Sequence, residues 1–275
     1  MSAITAAAVK ALREKTQLPM MECKQALEQS GGDEEAAIRL LREQGKAKMG
    51  GRTDRATDQG RIAAYSSLEQ GVGAMIELQC ETAQVAKLDE YGVLASDLAQ
   101  QLATGPGAAT AEELLQQISP STGKPLQELW DDLQNKTREV LRLTRLVRFD
   151  APTGAYVHHD FSVGVLLEIE GTDAALAKDI CMHIAAMRPT VVNTADLDPA
   201  DVQREREILT AAARSEGKPE NIIEKMVEGR MRNYYAETVL NEQPFVKDDK
   251  KTVGQVAKEG GLKLVRFAHW VLGKE

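Results

Sequence analysis

The sequence predicts an α+β protein with three parts: a small helical bundle, a duplicated α+β core with small antiparallel sheets, and an antiparallel helical hairpin. Three observations carry this. Ala, Leu, Glu, Gln, Lys and Arg abound while aromatic residues are only 4% of the 275, a balance that suits helices better than an all-β sandwich or barrel. A strand-like segment recurs: AYSSLEQGVGAMIEL, residues 64–78, aligns without a gap on AYVHHDFSVGVLLEI, residues 155–169. After residue 198, two long amphipathic stretches are joined by a short Gly and Pro turn.

The bundle comes first. Thr5 is a helix cap ahead of a face built from Ala8, Val9 and Leu12, and that helix ends near Thr16-Gln17-Leu18-Pro19. A second helix starts around Met20 and stops at Ser30-Gly31-Gly32; Asp33 caps a third, Glu34 to Gln44, which Gly45 is expected to end. Residues 1–45 can therefore close as one unit. Residues 46–60 are polar and glycine-containing and read as a linker or an exposed helix extension; the stretch is basic enough to touch nucleic acid, but Asp54 and Asp58 interrupt it.

The core follows as two similar subdomains, 61–145 and 146–275. Ala64-Tyr65 matches Ala155-Tyr156, Val72-Gly73 matches Val163-Gly164, Glu77 matches Glu168, and the register continues to Ala86-Lys87 against Ala177-Lys178. Each copy reads as two strands around a polar turn, Glu69-Gln70-Gly71 or His158-His159-Asp160, followed by a helix that covers their apolar face. Leu146-Val147-Arg148-Phe149 and Leu264-Val265-Arg266-Phe267 are further strand candidates that would widen the sheets. Between the copies, a helical stretch runs from Ala111 through Leu133 to Leu143. The hairpin is inserted at about 198–240: Asp198-Pro199 opens its first helix, and Ile223, Met226, Val227, Met231 and Tyr234 stripe its second.

Composition bounds the function. The 42 acidic against 34 basic residues, a formal charge of -8, argue against broad phosphate-backbone binding as the main task. Neither a signal peptide nor a run of about 18 apolar residues is found, which points to the cytoplasm. Cys23, Cys80 and Cys181 are isolated and odd in number, so they read as reduced thiols rather than as disulfides or a zinc site. No phosphate-binding, dinucleotide, zinc-protease or nucleophile-elbow motif occurs. His158-His159-Asp160 is a weak metal candidate, because neighbours on a strand point to opposite faces. His183, mid-helix among apolar residues, is by default a packing histidine, the sharper alternative being a contact face. Lys136, Arg138, Arg142, Arg145 and Arg148 read as a solvated basic face that Glu139 interrupts. The strand-to-helix corner Thr82-Ala83-Gln84-Val85 carries no acid, base or thiol at a place where function often sits.

These residues resemble a known family, bacterial elongation factor Ts. The similarity covers nearly the whole chain: Ile4-Thr5-Ala6 with Val9-Lys10; Met20-Met21-Glu22-Cys23-Lys24; Met182-His183-Ile184-Ala185-Ala186; GKPENIIEKMVEGRM, residues 217–231; and Gln243-Pro244-Phe245-Val246-Lys247. The resemblance implies a ubiquitin-associated-like N-terminal bundle, the duplicated core and a projecting coiled coil. It implies binding to elongation factor Tu, GDP-bound and nucleotide-free, in a heterodimer or a symmetric heterotetramer. Magnesium and phosphate contacts would be loosened and GDP exchanged for GTP by binding rather than by bond-making catalysis. No cofactor or metal of its own, no membrane and no direct nucleic-acid contact are implied.

In the family the 82–85 corner reads Thr-Asp-Phe-Val and its Asp-Phe pair intrudes beside the magnesium site of Tu. Thr82 and Val85 match; Ala83 and Gln84 lack the carboxylate and the ring. His183 and Lys24 match further Tu contacts. Thr137-Arg138 stands where the family commonly has Ile-Gly, and Gln17-Leu18-Pro19 replaces a glycine-containing turn. Three alternatives remain at this point: a Tu-binding stabiliser with reduced exchange activity, an RNA or ribosome-associated module using 46–61 and the basic run, and a metal-dependent enzyme built on His158 and His159.

Overall fold

The computed structural model describes residues 4–52, 54–217 and 219–274. Helices α1 (Ala6–Thr16), α2 (Met20–Gln29) and α3 (Glu34–Gly50) form the bundle. Thr5 Oγ1 accepts the Ala8 amide at 3.2 Å and Asp33 Oδ1 accepts that of Ala36 at 2.9 Å, so the expected caps start α1 and α3. Leu12, Cys23, Leu27, Ala37 and Leu41 close a small core. Gly45 does not end α3; the helix runs on to Gly50. Glycine is needed there for another reason: a Cβ would overlap the side chain of Asn135 on the facing core helix.

The first half of the core contains β1 (Gln59–Ser67), β2 (Val72–Cys80), α4 (Ala83–Ala86), α5 (Asp89–Thr104), α6 (Ala111–Leu115), α7 (Leu126–Thr137) and β3 (Arg142–Phe149). The helix expected across 111–143 is therefore two helices and a strand. Its middle is a turn containing Pro120 and Gly123, held by buried Asp97, which accepts the hydroxyls of Ser119 and Ser121. At its end Arg138 turns left-handed (φ 62°) and stops α7.

The second half follows with β4 (Thr153–Val157), β5 (Val163–Glu170), α8 (Ala174–Met187), α9 (Pro199–Ser215), α10 (Glu220–Thr238), β6 (Pro244–Phe245), β7 (Asp248–Thr252), α11 (Val253–Glu259) and β8 (Lys263–Val271). The sheets are antiparallel, in the orders β1-β2-β3 and β4-β5-β8, with β6-β7 a small separate ribbon. Both copies of the repeat are hairpins, and each gains a third strand from one of the two Leu-Val-Arg-Phe segments. A bulge falls at the same place in each copy, after Glu77 and after Glu168. The two third strands are offset in motif, however: Glu77 pairs with Arg145 and Glu168 with Arg266, so Arg266 is the counterpart of Arg145 rather than of Arg148.

Alternation along β2 sends Ala74, Ile76 and Leu78 into a core with Tyr91, Leu94, Leu98 and Trp130 of the helices, while Met75 faces the other sheet. On β5, Val165, Leu167 and Ile169 pack with Ile180, Ile184 and Val253, while Leu166 meets Ile62, Met75 and Phe149. The two sheets thus lie face to face between helical layers, which is why β2 and β5 are apolar on both sides. Gly73 and Gly164, matched in the repeat, sit where the two sheets leave no room for a side chain. A Cβ on Gly164 would overlap Ile62 and Met75, and one on Gly73 would overlap Thr153 and Leu166. Thr153 Oγ1 donates to the Val72 carbonyl at 3.0 Å and the Ile62 amide to that of Phe161 at 2.9 Å, stitching the sheets together.

The same alignment places Thr82 on Asp173, and each is the cap of the helix that follows its hairpin. Beyond the cap the copies diverge. Helix α8 is continuous, whereas its counterpart breaks at Lys87-Leu88 into the short α4 and the long α5.

The bundle docks on α7 through Arg42, which pairs with Asp132 at 2.7 Å and with Glu128 at 2.9 Å. Helices α9 and α10 make the expected hairpin around their own cluster, Ala213, Ile223, Val227 and Met231, with Arg206–Glu228 and Arg230–Glu216 pairs across it. Among the described residues no helix is long and apolar enough to cross a membrane.

Candidate functional site

At the end of β2 the chain turns through Thr82 into a helix of four residues, Ala83–Ala86. So short a helix cannot hold itself, since nucleation alone outweighs its few hydrogen bonds; its surroundings fix it. From below, Val85 and Ala86 are buried in the first core, and Arg61 Nε donates to the Ala86 carbonyl at 2.5 Å. From behind, the Cys80 thiol donates to the Thr82 carbonyl at 3.2 Å. From the side, Glu139 accepts both the Thr82 hydroxyl (2.6 Å) and the Thr82 amide (3.0 Å). Glu81 makes the reverse link, accepting the Val140 amide at 2.8 Å and Arg55 at 2.9 Å. Burial opposes ionisation of Glu81, but the Val140 amide and the Arg55 guanidinium outweigh it and hold the carboxyl below its ordinary range.

What remains facing solvent is Gln84, with Ala83 half-buried beside it. Val85 is an anchor rather than a contact residue. The corner therefore offers a rigid, uncharged projection, and its outer side chains hold no group able to take or give a proton.

The 138–140 segment ties this corner to the bundle. The Arg138 guanidinium reaches Glu22 of α2 at 2.7 Å, and Arg52 donates to the Arg138 carbonyl at 2.8 Å. Met20 and Met21 at the start of α2 are 45% and 61% exposed, a large apolar exposure for one helix end. Lys24 is also exposed, its ammonium 3.7 Å from Glu28 one turn on. Just past the corner, a cleft of about 640 Å³ separates the bundle from α5 and α7, lined by Leu18, Ile38, Leu41, Val93 and Leu133 among others. Corner, α2 and cleft thus lie together.

His183 lies elsewhere. It is fully buried in the second half, where its Nε2 stands 2.9 Å from Gln243 Oε1, its Nδ1 accepts the Val246 amide at 3.3 Å, and its ring packs against Phe245. Burial lowers its pKa and outweighs the opposing Gln243 bond. In this conformation it presents no atom to a partner; it holds the segment that exposes Val246.

The basic run is not an open cationic face. Lys136 pairs with Glu90, Arg138 with Glu22, Arg145 with Glu77 and Arg148 with Asp150, while Arg142 donates to the Arg55 carbonyl. At the other hairpin turn, Asp160 accepts the Ser162 amide and hydroxyl and faces His158 Nδ1 at 2.8 Å. Among the described residues no group of three His, Cys, Asp or Glu side chains could hold a metal. Glu81 and Glu139 are the site residues that sequence reasoning missed. Each sits in an irregular segment, and the bonds of Glu139 to Thr82 cross 57 positions of sequence, so no local periodicity marks them.

The comparisons with known proteins agree with the geometry. A family model described as Elongation factor TS matches residues 81–274, beginning at the corner itself. A protein named Elongation factor Ts from Thioalkalivibrio sulfidiphilus is 40% identical over 274 residues, covering 98% of this chain and 92% of its own. One of the same name from Methylococcus capsulatus is 41% identical over 273 residues, with the same coverage. Another from Acidothermus cellulolyticus is 39% identical over the full length of both chains. With end-to-end similarity at this level, the chain belongs to the elongation factor Ts family.

Proposed function

We propose that the protein is a nucleotide-exchange factor that binds the GDP form of elongation factor Tu and sets its Thr82–Val85 corner against the magnesium and phosphate site. One observation carries this reading: a four-residue helix with no strength of its own is clamped from three sides, and its free side is the part the family aims at Tu. The work is done by binding. A partner that favours nucleotide-free Tu weakens nucleotide affinity by the same coupling free energy, and no covalent step is needed. Tu would lie across the corner, Lys24 and the exposed end of α2, while His183 contributes indirectly by holding the 243–246 segment. The assembly is a heterodimer or a symmetric heterotetramer in the cytoplasm.

A second reading, a Tu-binding stabiliser with reduced exchange, is favoured by one observation: Ala83 and Gln84 supply neither a carboxylate nor an aromatic wedge. The RNA-binding reading is less favoured at the 136–148 run, where each cation is engaged within the protein.

Stopped-flow release of fluorescent GDP from cognate Tu separates the two readings. Exchange predicts acceleration that saturates with protein concentration. Tight binding without acceleration would establish the stabiliser instead. The double substitution Ala83→Asp with Gln84→Phe is expected to raise the maximal release rate, by about tenfold if the two side chains together supply about 1.4 kcal/mol. An unchanged rate would mean the lost contacts are replaced by others.

A further inference from the structure

We infer that Glu139 is a positioning residue for the corner: its carboxylate fixes the rotation of Thr82 and so the direction in which Ala83 and Gln84 point at a partner. The inference rests on the exchange reading above and adds to it the part of the chain that aims the projection.

Glu139 spends both carboxylate oxygens on one residue, taking the Thr82 hydroxyl proton at 2.6 Å and the Thr82 amide proton at 3.0 Å. The hydroxyl has a single proton, so once Glu139 holds it, only the lone pairs of Oγ1 remain to cap the helix. They accept the Val85 amide at 3.4 Å. The cap is therefore oriented by the carboxylate, and the cap immediately precedes a four-residue helix. Because Thr82 and Glu139 are only half-buried, water can satisfy the same groups if the bond is lost. Loss should then loosen the aim of the corner more than the stability of the fold.

Glu139 is itself held in place. On one side Arg138 adopts a left-handed backbone (φ 62°) and is tied to Glu22 of α2 and to Arg52. On the other, Val140 is buried and its amide is bound by Glu81. Three consecutive residues, 138–140, thus link helix α2, the start of the corner and the first core, so that the surfaces carrying Met20, Met21 and Gln84 keep one relative orientation.

The test uses the full-length protein, Glu139→Gln, Thr82→Val and the double variant. Gln keeps the size of Glu139 but has one acceptor oxygen and an NH2 in place of the other, so it can accept the Thr82 hydroxyl or the Thr82 amide, not both. For each protein the maximal rate of fluorescent GDP release from cognate Tu, the half-saturating concentration and the urea midpoint are measured. The expected result for Glu139→Gln is a fall in maximal rate of about three- to tenfold, with the half-saturating concentration within about twofold and the midpoint little changed. The double variant should be slower by less than the product of the two single effects, since both changes act on the same Thr82–Glu139 pair. Thr82→Ser, which keeps the hydroxyl, should retain the wild-type rate. An unchanged maximal rate in Glu139→Gln, or a fall that merely follows loss of folded protein, overturns the inference.

Amide hydrogen exchange on the free protein provides a readout that does not involve Tu. Protection at Thr82, Val85 and Ala86 should drop in Glu139→Gln while β1 and β2 keep theirs; unchanged protection there overturns the inference even if Tu exchange is never seen. If wild-type protein does not accelerate GDP release but protection drops as expected, the exchange reading fails and the clamp stands.

Discussion

His183 shows how one side chain can be conspicuous in sequence and act through something other than contact. Its ring is buried, and burial outweighs the opposing Gln243 bond, so the neutral form is favoured and its pKa lies below the ordinary value of 6.5. In the unfolded chain the same ring takes up a proton near 6.5. The unfolded state therefore binds more protons as pH falls through that value, and the folded state loses stability. His269 works in the same direction, lowered by burial first and then by Arg188 and Arg145, and its Nε2 is buried without a partner. The expectation is a urea-unfolding free energy that declines between about pH 7.5 and about pH 5.5, with a shallower decline in His183→Gln. A flat profile would contradict the assignment. The corner's position at a strand-to-helix turn could be read in advance; that Thr82 caps the helix and Val85 anchors it is seen only in the fold. The same holds for their partners. Glu139 looked like an interruption in a basic run because the hydrogen bonds that define it come from the end of the neighbouring strand, 57 positions away in sequence.

Elements were the most legible level, because hydrophobic alternation and turn residues act over a few positions. The hairpins and their polar turns follow from the repeat, and both third strands from the alternation of the Leu-Val-Arg-Phe segments. The exceptions are places where packing overrides local signals: Gly45 is a contact with Asn135 and not a helix stop, and the Leu-Val-Arg-Phe strands share a motif without sharing a register. Arg138 and Gln17 end their helices in the left-handed conformation without being glycine, so a glycine-based rule alone would not place those ends. Gly73 and Gly164 have a stricter requirement, space between sheets. Gly164→Val should destabilise the protein by about 1–3 kcal/mol in urea unfolding, because Ile62 and Met75 on the facing sheet must move. A change below about 0.5 kcal/mol would mean the sheets are less closely seated than described.

At the scale of the molecule, the acidic helix-rich composition and the repeat foretold the parts but not their arrangement. The apolar character of β2 and β5 on both sides does not say which surfaces meet, since the residues that join the two sheets, Ile62, Met75, Phe149 and Leu166, come from four strands. The hairpin is the converse case: its stripe predicts a separate core and it has one, Ala213 with Ile223, Val227 and Met231. Excising residues 203–234 and joining the ends with a short Gly-Ser linker should therefore leave the rest folded. Calorimetry is expected to show a melting temperature within about 4 °C of the parent; a much larger drop would make the hairpin part of the core.

The paired hairpins also bear on how a one-sided tool can arise. In a symmetric dimer of identical chains any substitution appears twice, so a break after the first turn of the capped helix would be made in both subunits. Here the two copies belong to one polypeptide, and each position mutates alone. The copy headed by Asp173 carries one continuous helix, while the copy headed by Thr82 is interrupted at Lys87-Leu88, its first turn burying Val85 and Ala86 and leaving Gln84 exposed. Covalent fusion of the halves is what permits that inequality: each copy is free to continue differently after its cap.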